Sequence, residues 1–265
     1  MTGNVDRRIP EKLAPLIARF ELEQPTLVSR EDVERIARET GVNSRISYLI
    51  EHLVRHGWLI PLGTRGLWEF APAARAGPFS SGDNHIELHA TLRKRPDLAV
   101  AIAAESASWL HGLSGRKPAK EVIAAPPGLV LPPALKDYRV VRHAAATELD
   151  RLRDLPVWSV DTLLAAMAIR PNWYRDWRNV SDWLAEATNR VSESRLRDEL
   201  ESAPRSAWAR LGYLLARGDN EHLAAVVFED APPGRGPFYL GRRDRSGTYD
   251  AEYDVIDSAL IQSAP

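Results

Sequence analysis

The stretch "NSRISYLIEHLVRHGWLIPLGTRGLWEFAP", residues 43–72, constrains the fold more than any other part of the chain. Ile46, Leu49, Ile50 and Leu53 recur at steps of three, one and three residues, the spacing of one buried helical stripe. Arg45, Tyr48, His52 and Arg55 repeat on another face at the same period. Gly57 follows at once and suits the left-handed residue that ends a helix. "WLIPL" and "LWEF" then read as short strands, and the glycines of "GTRG" permit a hairpin turn between them. A helix tied this closely to a hairpin fixes the placement of both.

Upstream, "IPEKLAPLIARF" at 9–20 spaces Ile9, Leu13, Leu16, Ile17 and Phe20 as a first amphipathic helix, with Pro10 suited to its opening turn. "PTLV" reads as a short extended piece. Ser29 is the expected N-cap of a second helix over about 30–40, with Glu31 and Asp32 favoured by the helix dipole in its first turn. Val33, Ile36 and Ala37 point inward, and "GVNS" makes the turn into the third helix at about 44–56. Three helices followed by a hairpin is the order of a winged helix-turn-helix, expected over residues 1–75.

"APAARAGPFSSGDN" lacks an apolar period and is rich in Ala, Pro, Gly and Ser, so a linker is expected at 76–84. From 85 to 265 the pattern predicts a second, mixed α/β domain. "AVAIAAESASWLHGL" reads as a buried strand followed by a helix capped by Ser106, and "EVIAAPP" and "YRVVRH" as strands. Residues 161–170 form a helix stopped by Pro171, and "WYRDWRNVSDWLAEAT" is helical with an aromatic side. "SRLRDELES" and "SAWARLGYLLARG" are further helices, the latter capped by Ser206. "HLAAVVF", "PFYLG" and "EYDVI" supply a helix and strands. The expected fold class is α+β: a winged helix-turn-helix domain followed by an α/β domain.

Composition excludes several classes of function. The 265 residues include no cysteine, which removes a disulfide frame, a thiolate nucleophile and a thiolate zinc site. No apolar run approaches the roughly 20 residues needed to cross a bilayer, and the N-terminus has no signal-like stretch, so a cytoplasmic protein is expected. A net charge of −1 argues against nucleic-acid binding by bulk attraction. Between residues 43 and 75 the arginines nevertheless outnumber the carboxylates, so placement must do what total charge does not.

The major groove of B-DNA admits one α-helix, and residues at the start and outward face of that helix reach base edges. Arg45 can give two parallel hydrogen bonds to a guanine, and Ser44 or Ser47 can reach a phosphate or base. Tyr48 and His52 share the groove-facing side, while Arg55 meets the backbone. Thr64 and Arg65 form the tip of the wing, placed for phosphates or the minor groove. Solvated arginines on a protein-packing domain are the competing account.

Other motifs carry less. His85 and His89 stand four apart, but Ile86 occupies the position where a zinc protease has Glu, and no third ligand presents itself. "GRGPFYLG", 234–241, opens no helix and reads as a turn before a strand. Ser106, Ser108 and His111 lack a G-x-S-x-G elbow. Trp173, Tyr174, Trp177 and Trp183 fit core packing, with stacking on nucleic acid or a partner groove as the alternative. "LRKRP", 92–96, is either an exposed helix end or a phosphate contact. No cofactor, metal site or catalytic centre is expected.

The order "RRIP", "VSREDV" and "HGWLIPLGTRGLWEFAP" resembles the N-terminal domain of AbiEi-type antitoxins. "ESASWLHGL", "VWSVDTLLAAMA" and "SAWARLGYLLARG" are similar to later segments of that family, in the same order. The resemblance implies a winged helix that binds inverted repeats in the double-stranded DNA of its own promoter and represses the operon. It implies a C-terminal antitoxin domain acting against a nucleotidyltransferase toxin of polymerase β-like fold, without carrying over whether the two touch. DNA-contact roles would fall on Arg45, Tyr48, His52, Thr64 and Arg65. The alternative from a different class is a winged-helix regulator whose C-terminal domain senses a small molecule.

Overall fold

The computed structural model describes residues 11–73, 83–242 and 246–260. The chain divides into two compact units, Met1–Leu98 with Leu131–Lys136, and Ala99–Val130 with Asp137–Pro265.

In the first unit, a 3-10 turn (Glu11–Leu13) leads into α1 (Ala14–Glu23), then β1 (Leu27–Ser29), α2 (Arg30–Glu39) and α3 (Ile46–Arg55). β2 (Leu59–Pro61), β3 (Leu67–Phe70) and α4 (Ile86–Lys94) follow. The strands form an antiparallel sheet in the order β1-β3-β2, with Leu27 opposite Glu69 and Leu59 opposite Phe70. Leu16, Ile17 and Phe20 of α1, Val33 and Ile36 of α2, and Leu49 and Leu53 of α3 are buried in one core. Burying a leucine of this kind contributes about 1.5–3 kcal/mol, so the α3 stripe alone outweighs any single surface contact. The element order is the one read from sequence for a winged helix-turn-helix.

Local chemistry sets the helix ends. The Ser29 hydroxyl accepts from Asp32 N, and the Asp32 carboxylate accepts from Ser29 N, a reciprocal cap at the start of α2. Gly57 adopts φ +69 after α3, and Trp58 N donates back to Leu53 O. That left-handed step turns the chain straight into β2, and a Cβ there would be strained.

One expected boundary differs from the structure, and two other expectations fall outside the described residues. Residues 1–10, including Ile9 and Pro10, lie outside the described residues, as do 74–82, most of the stretch expected as a linker. The expected boundary at residue 85 would place α4 in the second domain, but it belongs to the first unit, together with Leu131–Lys136. A contact made across so much chain has no local signature in sequence.

The second unit is built on a five-stranded sheet in the order β6-β5-β4-β8-β7. Its strands are β4 (Ala101–Ile102), β5 (Val122–Ala125), β6 (Arg139–Arg142), β7 (Asp150–Leu152) and β8 (Leu155–Val157). Its helices are α5 (Ala104–Leu110), α6 (Val160–Ile169), α7 (Leu184–Thr188), α8 (Glu193–Leu200), α9 (Arg205–Arg217) and α10 (Glu221–Glu229). A small sheet of β9 (Phe238–Leu240), β10 (Thr248–Asp250) and β11 (Val255–Asp257) follows. α6 is buried along nearly its whole length, from Val160 to Ala168, which is why its sequence shows no polar face.

The structure corrects two caps. α5 starts at Ala104 with Ala103 as its cap, so Ser106 lies inside the helix; α9 is capped by Pro204, one residue before Arg205, not by Ser206. The region 173–188 is not one helix. Tyr174 is extended (φ −100, ψ 128), which turns its ring inward, and 3-10 turns at Pro171–Trp173 and Trp177–Asp182 flank it before α7.

Glu199 of α8 is a buried carboxylate that ties three segments together. It accepts from Thr162 Oγ1 at 2.7 Å, from Thr147 Oγ1 at 2.8 Å, and from the backbone amides of Ala146 and Thr147. His143 Nε2 lies 3.8 Å away. Burial pushes this carboxyl upward, but the contacts with His143, Thr162 and Thr147 outweigh it and hold it at about 2 against an ordinary 4.5. A carboxylate depressed in the folded state contributes stability above its unfolded value, and that contribution is lost as pH falls from 4.5 towards about 2. Denaturant unfolding of the full chain across this window should show a falling acid limb that Glu199→Gln flattens, with lower stability near neutrality. Superimposable acid limbs would remove Glu199 from this role.

Candidate nucleic-acid interface

The apolar stripe of α3 faces the core, and that orientation sends its polar row to the surface. Ser44, Arg45, Ser47 and Arg55 are exposed, and Tyr48 is 53% exposed. Arg45 is the N-cap residue of α3, in extended backbone (φ −62, ψ 130), and its carbonyl accepts from Leu49 N. Its guanidinium therefore projects at the leading end of the helix. The Tyr48 and His52 rings stand 5.5 Å apart, and His52 and His56 4.4 Å apart, an aromatic row one turn per step. His52 is half-buried; burial first, then the charges of His56 and Arg55, lower its pKa. Arg55 pairs with Glu51 at 2.5 Å.

The loop between β2 and β3 is held from outside the hairpin. Gly63 N donates to Glu87 Oε1 at 2.7 Å, and the Thr64 and Thr91 hydroxyls lie 3.2 Å apart. Both partners belong to α4. A Cβ on Gly63 would come within 3.1 Å of the Ala134 backbone, so a side chain there would crowd that segment. Thr64 is half-buried in this seam, while Arg65 remains exposed at the tip. Lys94 Nζ comes within 4.0 Å of where a Gly66 Cβ would stand, which brings a second cation beside the wing. Its neighbour Arg93 is committed inward, to the Asp32 carboxylate at 2.9 Å and to Leu27 O. The run "LRKRP" is thus divided: one arginine locks α4 to the start of α2, and one lysine flanks the wing.

Arg45, Tyr48, His52 and Arg55 share one helix; Thr64 and Arg65 share the wing; Ser44 and Ser47 bracket the helix start. The sequence does not single out Glu87, Thr91 and Lys94, because nothing local relates α4 to a hairpin some 25 residues earlier.

The other sequence candidates resolve into packing. Ser106 Oγ donates to Glu121 Oε2 and accepts from Val122 N, tying α5 to the start of β5. Ser108 Oγ donates to Glu105 O, and His111 Nε2 donates to Trp158 O, so the three do not converge on a nucleophile. Glu105 binds the Arg139 guanidinium and the Arg175 amide. Tyr174 and Trp183 are buried, with rings 6.0 Å apart, as core packing requires. His85 is buried at the head of α4 and His89 lies 3.6 Å from Asp83. Among the described residues no group of three or more His, Asp or Glu side chains is placed to hold a metal ion, and no helix is long and apolar enough to cross a membrane.

If Glu87 anchors the wing, Glu87→Ala should free the Gly63 amide and speed its hydrogen exchange by about tenfold or more, the loss of one charge-assisted hydrogen bond. The amides paired between β2 and β3 should keep their protection. Unchanged Gly63 exchange would show that the wing stands without α4.

Residues 99–217, from the residue before Val100 to the last residue of α9, match the family model of the AbiEi antitoxin C-terminal domain. No curated protein sequence matches the chain. Among solved structures the chain is similar to the crystal structure of the RV2827C protein from Mycobacterium tuberculosis, at 25% identity and a TM-score of 0.83, over 98% of this chain and 96% of that one. Residues 99–217 make up most of the sheet and helices of the second unit, and over them the chain is similar to the C-terminal domain of the AbiEi antitoxins.

Proposed function

We propose that this antitoxin of a toxin–antitoxin pair also binds the promoter of its own operon and represses it, and that its partner toxin is a nucleotidyltransferase. The observation that carries the reading is the outward-facing polar row of α3, led by Arg45 and backed by an apolar stripe whose Leu49, Ile50 and Leu53 are buried. In this reading α3 enters the major groove. Arg45 reads a guanine edge, Ser44, Ser47, Tyr48 and His52 line the groove, and Arg55 and Arg65 meet phosphates. Thr64 holds the wing in place through its contact with Thr91, and Lys94 adds a phosphate contact beside it. The antitoxin activity belongs to the second unit, and the toxin is encoded beside the antitoxin.

The two roles separate experimentally. Arg45→Ala with Arg65→Ala should weaken binding of the full chain to its upstream duplex, by about 1–3 kcal/mol for each arginine removed, read by gel shift. The same double variant, co-expressed with the adjacent reading frame, should still rescue growth. Promoter binding unchanged by the double substitution would reject the DNA reading; a failure to rescue growth would reject the division of labour.

A further inference from the structure

Trp109, in the last turn of α5, is half-exposed and carries two cations over its ring. Lys117 Nζ lies 5.3 Å from the ring centroid and Arg153 Cζ 5.1 Å from it. The two cations come from separate loops: Lys117 from the turn after α5, Arg153 from the tip of the β7–β8 hairpin. Bringing like charges to one ring costs repulsion, which the quadrupole of the indole offsets.

The hairpin tip breaks a local rule to make this arrangement. A two-residue turn with positive φ at both central positions favours Asn-Gly or Gly-Gly. Here the pair is Arg153 (φ +51) and Asp154 (φ +61). A bulky residue held in left-handed backbone without local benefit points to a role outside the turn. Arg116, on the same turn as Lys117, and Arg151, in β7 just before the hairpin tip, are both exposed, and Arg151 reaches the carbonyl of Asp154 at 3.5 Å. Elsewhere in this unit four arginines are in ion pairs: Arg139 with Glu105, Arg190 with Glu186, Arg195 with Asp161, and Arg197 with Glu193 and Asp230. Among the described residues none of Arg116, Lys117, Arg151 or Arg153 is in an ion pair. Two cations over one indole, with Arg116 and Arg151 close to them in the chain and Asp154 as the carboxylate on the hairpin turn, form a patch that fits an anionic chain bearing flat rings.

We infer that this patch is a contact site for single-stranded nucleic acid, with Arg116, Lys117, Arg151 and Arg153 on successive phosphates and Trp109 as a stacking platform. A flexible strand can bring a phosphate and a base to the same small surface, whereas a duplex keeps its bases inside. The site lies wholly in the second unit and stands independently of the duplex-reading role proposed for α3.

The test is fluorescence anisotropy of the full chain with labelled oligo(dT) and oligo(U), beside a duplex of unrelated sequence. Both single strands should bind with an affinity that falls steeply with salt, and with quenching of tryptophan emission. Lys117→Gln with Arg153→Gln should weaken binding at least tenfold and reduce the salt slope. Trp109→Ala should weaken it about fivefold or more, and Trp109→Phe, which keeps a stackable ring, should restore most of the affinity. Arg45→Ala with Arg65→Ala should leave it unchanged, so failure here is distinguishable from failure of the promoter reading. No single-strand binding at low salt, equal or tighter binding of the duplex, or indifference to Lys117→Gln with Arg153→Gln would each overturn the inference.

Discussion

The first unit depends on one packing constraint: Leu49, Ile50 and Leu53 of α3 seated against Val33 and Ile36 of α2 and the residues of α1. A rotation of α3 by one residue would carry its polar row into that core and leave buried charges unpaired, at a cost no surface contact could offset. The stripe therefore sets which side chains face outward, and Gly57 sets where the helix stops and the hairpin begins. The outward face of α3 is here a by-product of core packing. What the exposed row can reach is decided by the residues beneath it.

Electrostatics then refines that geometry. A chain of net charge −1 has no general attraction for polyanions, so useful cations must be those not already neutralised. Some arginines of the first unit are paired internally: Arg35 with Glu23 and Glu39, and Arg93 with Asp32. Arg45 at the head of α3, Arg65 at the wing tip and Lys94 beside it are differently placed, at the leading end of the helix and the outer end of the hairpin. α4 supplies the rest, since Glu87 and Thr91 fasten the loop that presents Arg65. An unsupported two-stranded hairpin would present that residue over a wide range of positions.

Much of the first unit is legible in sequence because its signals are local. The 3.6-residue period of α3, the Ser29 cap and the glycine stops each lie within a few residues of what they control. The support of the wing by α4 is not legible, since Gly63 and Glu87 are related only by the completed fold. In the second unit the short strands β7 and β8 escape a sequence reading because Arg153-Asp154 lacks the residues that normally mark a tight turn. Ser106 and Ser206 look like caps by type, but the caps lie three and two residues earlier, where Ala103 and Pro204 already have extended backbone. The aromatic stretch after Pro171 reads as a helix, although packing Tyr174 inward requires the chain to leave helical geometry there. The family resemblance in the later segments agrees with the match over residues 99–217.

The second unit is organised differently, around buried polar anchors. Glu199 gathers the 143–147 loop and α6, Asp257 accepts from the Tyr213 hydroxyl and two backbone amides, and Glu105 joins β6 to the segment after α6. Such centres hold connections in place that apolar packing alone leaves free to slide. For the first unit the decisive measurement is dimethyl sulfate footprinting of the upstream duplex, which reports guanine N7 in the major groove. The account predicts protected guanines under the bound chain and their renewed reactivity with Arg45→Ala. Tight binding of the promoter with every guanine N7 still reactive would contradict a groove-seated α3.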